Sequence, residues 1–150
     1  MVASLEQSAV EVREQCVATK LRQATRAITQ HYDEAMADAG LRSTQFTLLV
    51  ALAQAPLVPL SKLAEALVMD RTTLTRNLAP LLRDGLAAEH AAGDRRVRAF
   101  TLTAKGKKLL EHAMPGWRKA QARLQRALGT ADLTVLDRIL NAAVRAAQHG

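Results

Sequence analysis

Aromatic side chains are scarce in this 150-residue chain: two Phe, one Trp and one Tyr make up 3% of it. Hydrophobic residues still reach 49%, so the core must be built from Leu, Ala and Val, as in helices packed on helices. A single cysteine, Cys16, excludes an intramolecular disulfide framework and fits a cytoplasmic setting. No apolar run approaches a membrane span, and the N-terminus lacks a signal-peptide pattern. The histidines at 31, 90, 112 and 149 form no HxxxH or HExxH pair, and one cysteine cannot complete a zinc motif at standard spacing. Gly93 and Gly106 stand alone, so no phosphate-cradling loop is present. Neither a GxSxG motif nor a clustered carboxylate pair occurs. The expectation is one domain that is not an enzyme and carries no cofactor and no metal.

What the chain does have is positive charge, +7 in all. Residues 1–59 hold 5 basic and 6 acidic groups, net −1; residues 60–108 hold 10 and 5, net +5; residues 109–150 hold 6 and 3, net +3. The excess is concentrated in the middle of the chain, as the footprint of a polyanionic partner should be.

That middle stretch, SKLAEALVMDRTTLTRNLAPLLRDGLAAEHAAGDRRVRAFTLTAKG, reads as helix, turn, helix and basic hairpin. Ser61 is expected to cap a short helix over Lys62 to Leu67, with Leu63, Ala64 and Leu67 on one face. Val68 and Met69 make a tight link. Asp70 then caps a second helix, its charge suiting the positive helix N-terminus. Leu74, Leu78 and Leu81 recur at i, i+4 and i+7 and form the buried stripe. The opposite face carries Arg71, Thr72, Thr73, Thr75, Arg76 and Asn77. These hydroxyls, guanidiniums and amide can reach base edges in a major groove and bond the phosphates beside it. A plain solvated face is the competing reading. Pro80 removes the bond to the Arg76 carbonyl and predicts a bend, and Gly85 reads as the glycine that ends the helix.

The period then changes. Leu86 to His90 and Arg96 to Leu102 read as strands joined by residues 91–95. Arg96, Arg98 and Phe100 alternate with Val97, Ala99 and Thr101. A ribbon tipped by Arg95 and Arg96 suits an A·T-rich minor groove or its phosphates, with Asp94 expected to hold one arginine in place. A solvated charged turn is the alternative. Thr103 is expected to cap the next helix.

In these residues the chain resembles the MarR family of bacterial transcriptional regulators. The segments VMDRTTLTRNLAPLLRDGL and GDRRVRAFTLTAKGKKLL carry the likeness, and the order of elements on both sides fits. The resemblance implies a mainly α fold with a small β-hairpin wing: a winged helix-turn-helix with long N- and C-terminal dimerisation helices. It implies a homodimer that binds pseudo-palindromic double-stranded promoter DNA as a repressor in the bacterial cytoplasm, associated with the nucleoid. It further implies release by a small aromatic or phenolic effector. Thr72, Thr73, Arg76 and their neighbours would lie in the major groove, and Arg95 or Arg96 in the minor groove. Residues 1–40 would form the N-terminal dimerisation helix and 41–106 the winged helix-turn-helix. Residues 107–150 would complete the dimerisation region of the one integrated domain.

Two other functions stay open. One is a low-specificity architectural DNA-binding protein in which charge is the whole mechanism. The other is a thiol redox-sensing regulator acting through Cys16. Some members of the resembled family sense peroxides through a cysteine in this helix, beside tyrosines where this chain has Ser43 and Phe46. A buried small hydrophobe is the plain reading of Cys16.

The flanks read as helices. Residues 5 to 39 form one long helix, with Val17, Leu21, Ala24, Ile28, Ala35 and Ala39 at roughly heptad spacing, ended by Gly40. Ser43 caps a helix reaching Ala53, with Phe46, Leu49, Val50 and Ala53 inward. Pro56 and Pro59 bracket a loop in which Leu57 and Val58 make a short strand that joins the hairpin. Ala104 to about Leu128 is a second long helix. Pro115 and Gly116 predict a kink in it, or a division into two. Lys105, Lys107 and Lys108 at its start face phosphate or solvent. Gly129 ends it and Thr130 caps the last helix. The stripe there, Leu133, Leu136, Ile139, Leu140, Ala143 and Val144, is expected to pair with residues 5 to 30 of a second subunit. Candidate effector-pocket residues are Cys16, Phe46, Met114 and Trp117, with core packing the alternative for each.

Overall fold

The computed structural model describes residues 4–91 and 97–149. Its elements are α1 (Leu5–Gln15), α2 (Val17–Ala35), a 3₁₀ turn (Ala37–Ala39), α3 (Ser43–Leu52), β1 (Val58–Pro59) and α4 (Leu60–Leu67). Then follow α5 (Arg71–Arg83), β2 (Ala87–Ala91), β3 (Arg98–Leu102), α6 (Ala104–Leu128) and α7 (Thr130–His149). The fold is mainly α with a small antiparallel sheet in the order β1-β3-β2. Among the described residues no helix is long and apolar enough to cross a membrane.

Local signals set the limits of α5 and the start of α6. Asp70 accepts the Thr73 amide hydrogen at 2.8 Å and so caps α5. Leu74, Leu78 and Leu81 are buried. The far end closes as a Schellman turn, in which Gly85 at φ +68° donates to the Leu82 carbonyl and Leu86 donates to the Leu81 carbonyl. Thr103 accepts the Gly106 amide hydrogen at 3.0 Å to start α6, and its own hydroxyl reaches the Gly85 carbonyl at 2.7 Å. One threonine thus joins the end of α5 to the beginning of α6.

The core lies under the helix-turn-helix. Phe46, Leu48, Leu49 and Leu52 of α3 meet Leu63 of α4, the α5 leucines and Phe100 of β3. Helix α3 is covered by α6 as well as by α4, α5 and β3. More of its surface is therefore buried than a single stripe predicts: Leu48 and Leu52 are inside, while Ala53, expected inward, is exposed. Strand β3 is likewise central, so Ala99 and Phe100 are both buried and strict alternation fails there. The short strand before α4 pairs Val58 with Phe100 and Pro59 with Ala99.

Other expectations are corrected. The N-terminal helix is two helices. Cys16, at ψ 109°, leaves the helical region; its amide closes α1 on the Val12 carbonyl while its carbonyl opens α2 by accepting from Lys20. Ser61 lies inside α4, because Pro59 passes directly from sheet pairing into the helix cap position. Ser43 is the first residue of α3 rather than its cap, and Thr130 the first residue of α7, with Gly129 before it at φ +83°. Gly40, at φ +64°, ends the 3₁₀ turn and not the long helix.

Helix α6 is unbroken across Pro115, so the division into two helices does not occur. Gly116 serves a close approach: a β-carbon there would stand 2.2 Å from the Ala35 carbonyl oxygen. Nearby, His31 bonds the Ala120 carbonyl at 3.0 Å and the Tyr32 hydroxyl donates to Gln121. Burial raises the Tyr32 pKa above its ordinary value. The end of α2 is thereby fastened to the middle of α6.

Candidate nucleic-acid interface

Helix α5 presents its polar side outward because its leucines are taken by the core. Arg71, Thr72 and Arg76 are exposed, and Thr73, Thr75 and Asn77 are half-buried. These six do not stand alike. Thr73 donates its hydroxyl to the Asp70 carboxylate at 2.6 Å, which leaves its lone pairs and methyl for any outside contact. The Asn77 amide points back to the Met69 sulfur at 3.8 Å. Among the described residues Arg71 and Arg76 have no carboxylate partner.

The tertiary fold brings the wing against this face. Arg71, Thr72, Thr75, Arg76 and Arg98 line one shallow groove of about 500 Å³, together with Leu60 and Ala79. A smaller recess of about 200 Å³, between Ser61, Arg71, Val97 and Arg98, continues it toward the wing. Arg98 is a fixed wall rather than a free cation. Its guanidinium donates to both oxygens of Glu89, Nη2 to Oε2 at 3.0 Å, and lies 5.5 Å over the Phe100 ring. Glu89 stands below its ordinary pKa and Arg98 above, each chiefly through that hydrogen-bonded pair. The unneutralised positive charge of the groove therefore comes from Arg71 and Arg76. Arg95 and Arg96, with Asp94, lie outside the described residues.

The lysines at the start of α6 are partly engaged. Lys105 donates to the Asp84 carbonyl at 2.7 Å, at the negative end of α5, and Lys107 stands 4.0 Å from Glu111. Leu60, Ser61, Ala79 and Val97 were missed as groove residues, and Glu89 as the partner that braces Arg98. Ala79 shares the face of Thr72, Thr75 and Arg76 at helical spacing and was legible in the sequence, whereas the others are brought there by the pairing of β1 and β2 with β3, for which no short-range pattern exists.

The candidate effector residues are only partly gathered. Phe46 and Trp117 stack at 6.3 Å between ring centroids and 16° between planes. Met114 lines a groove of about 540 Å³ with Leu52, Pro56, Leu102 and Leu110, rimmed by Lys107 and Glu111. Cys16 does not join them. It precedes His31, the residue that meets α6, by some fifteen positions, about 22 Å along the α2 axis. At the start of α2 its thiol instead interacts with Thr19, side chain first and backbone second, which lowers its pKa.

Comparison with known proteins agrees with this geometry. The model of the MarR family matches residues 41–97, from the residues before α3 to the foot of β3. The transcriptional regulator HosA of Escherichia coli O157:H7 is 35% identical over 97 residues, 64% of this chain and 70% of that protein. The crystal structure of the Mycobacterium tuberculosis transcriptional regulator MosR in complex with DNA superposes with a TM-score of 0.83 at 36% identity, covering 89% of this chain and 97% of that one. A cysteine-to-serine mutant of Escherichia coli MarR, in complex with operator DNA, shares the fold with a TM-score of 0.80 at 17% identity, covering 94% and 99%.

Proposed function

This chain belongs to the MarR family of transcriptional regulators, and from that premise we propose that it binds duplex DNA sequence-specifically as a homodimer and represses the promoters it occupies. The observation that carries the reading is the groove shared by α5 and β3, where Arg71 and Arg76, without a carboxylate partner among the described residues, face outward beside Thr72, Thr75 and the braced Arg98. Arg71 and Arg76 bond phosphates, while Thr72, Thr73 and Thr75 meet base edges. Arg95 and Arg96 reach the adjacent minor groove.

The dimer is supported by apolar surface left uncovered in one chain. Leu5, Val10, Val17 and Leu21 on α1 and α2, and Leu136, Ile139, Leu140 and Val144 on α7, are all exposed. Residues 1–40 and 107–150 then form the dimer base around the reading segment 41–106. Pairing sets two α5 helices about 34 Å apart, one helical turn of a pseudo-palindrome. A small aromatic or phenolic effector in the Met114 groove favours a spacing that does not fit DNA, provided it binds that spacing more tightly.

The test is binding to duplexes selected from a randomised library. A sequence reader holds its selected site at least about 10³-fold more tightly than random duplex, and Arg71→Ala and Arg76→Ala each reduce the salt dependence. A ratio near one overturns the reading in favour of an architectural binder. Sedimentation at micromolar concentration tests the dimer, and transcription from the selected site, with and without protein, tests repression.

A further inference from the structure

Val68 sits in the turn between α4 and α5 at φ 53° and ψ 45°, in the left-handed region. Among the described residues it is the one non-glycine with positive φ. Glycine and asparagine take this conformation readily, whereas a β-branched side chain crowds its own backbone there. The valine has no return from burial, being 55% exposed, while Leu67 and Met69 on either side pack on the core. The turn does not require it either. Its bonds, Val68 amide to Glu65 carbonyl at 3.2 Å and Met69 amide to Ala64 carbonyl at 2.9 Å, are backbone bonds that asparagine or glycine would form as well. A strained, exposed apolar residue with no role inside the fold points to a contact outside it.

We infer that Val68 makes an apolar contact with the 5-methyl group of a thymine at the edge of the major groove that α5 reads. The inference rests on the DNA-reading function above. The left-handed turn holds the isopropyl group two residues before Asp70, beside the end of α5 that enters a groove in helix-turn-helix docking. Thymine methyl is the apolar group that the major groove displays. The valine would thus contribute to base choice at a position outside the polar face of α5.

The experiment couples a protein change to a single methyl on the DNA. A duplex selected by the wild-type chain is resynthesised with uracil in place of thymine, one position at a time, and titrated with wild type, Val68→Asn and Val68→Gly. At one thymine per half-site the wild type loses about fourfold in affinity on going to uracil, the worth of one methyl-sized group. Both variants lose nothing further there; the glycine, with no side chain, guards against a new contact made by the asparagine amide. Val68→Asn also melts at a higher temperature than wild type, so stability and affinity move in opposite directions, as a residue serving the fold alone would not allow. Equal uracil losses for wild type and variants at every position, or undiminished affinity of both variants for the thymine duplex, overturn the inference. A wild-type chain that selects no sequence from the library refutes the DNA-reading function itself, a failure distinct from that of the Val68 contact.

Discussion

The carboxylate of Asp33, near the end of α2, accepts the amide hydrogen of Ser43, the first residue of α3, at 2.6 Å. Its other oxygen stands 3.4 Å from the Arg42 guanidinium. An acid on α2 therefore caps α3, a role that local sequence assigned to Ser43. Asp33→Ala should destabilise the protein by about 1 kcal/mol, the usual worth of a helix cap. Asp33→Asn, which keeps an acceptor, should recover part of that loss. Urea unfolding measures it, and an unchanged midpoint for Asp33→Ala would show that the bond contributes nothing.

Asp70 gives stability a pH dependence of definite sign. The Thr73 side chain and then its backbone amide hold the Asp70 pKa below the ordinary carboxylate value. A folded pKa below the unfolded value means that the contribution is complete above about pH 4 and is lost as pH falls through the folded value. Asp70→Asn, which still caps but cannot ionise, should melt less steeply with acid than wild type over that window. Parallel melting curves from pH 5 to pH 2 would remove Asp70 from the acid response.

Gly116 is required by the crossing of α2 and α6. A methyl placed 2.2 Å from the Ala35 carbonyl oxygen must push one backbone from the other. Gly116→Ala should cost about 1–3 kcal/mol, the range for overpacking, despite the better helix propensity of alanine. Calorimetry decides between the two effects, and a raised melting temperature would mean that the helices separate freely at this point.

The Cys16 thiol, assisted by Thr19, should react with iodoacetamide along a pH profile whose midpoint lies below that of a free cysteine, about 8.5. Thr19→Val should move the midpoint upward. A wild-type midpoint at or above the free-cysteine value would count against any thiol-sensing role.

Much of the reading segment was determined by sequence alone. Asp70 before Thr73, leucines at 74, 78 and 81, Gly85 after Arg83 and Thr103 before Gly106 are relations spanning a single helical turn or two. A bond or burial pattern of that reach needs only neighbouring residues to form. The tertiary structure decided what depends on separate elements meeting in register. It placed Glu89 under Arg98 by strand pairing, gave α3 its cap from Asp33, and made Gly116 a point of contact rather than a break. It also left Cys16 far from the Phe46–Trp117 stack, because the length of α2 separates them. Side-chain type announces such pairings in neither partner, since the partner is chosen by the path of the chain between them.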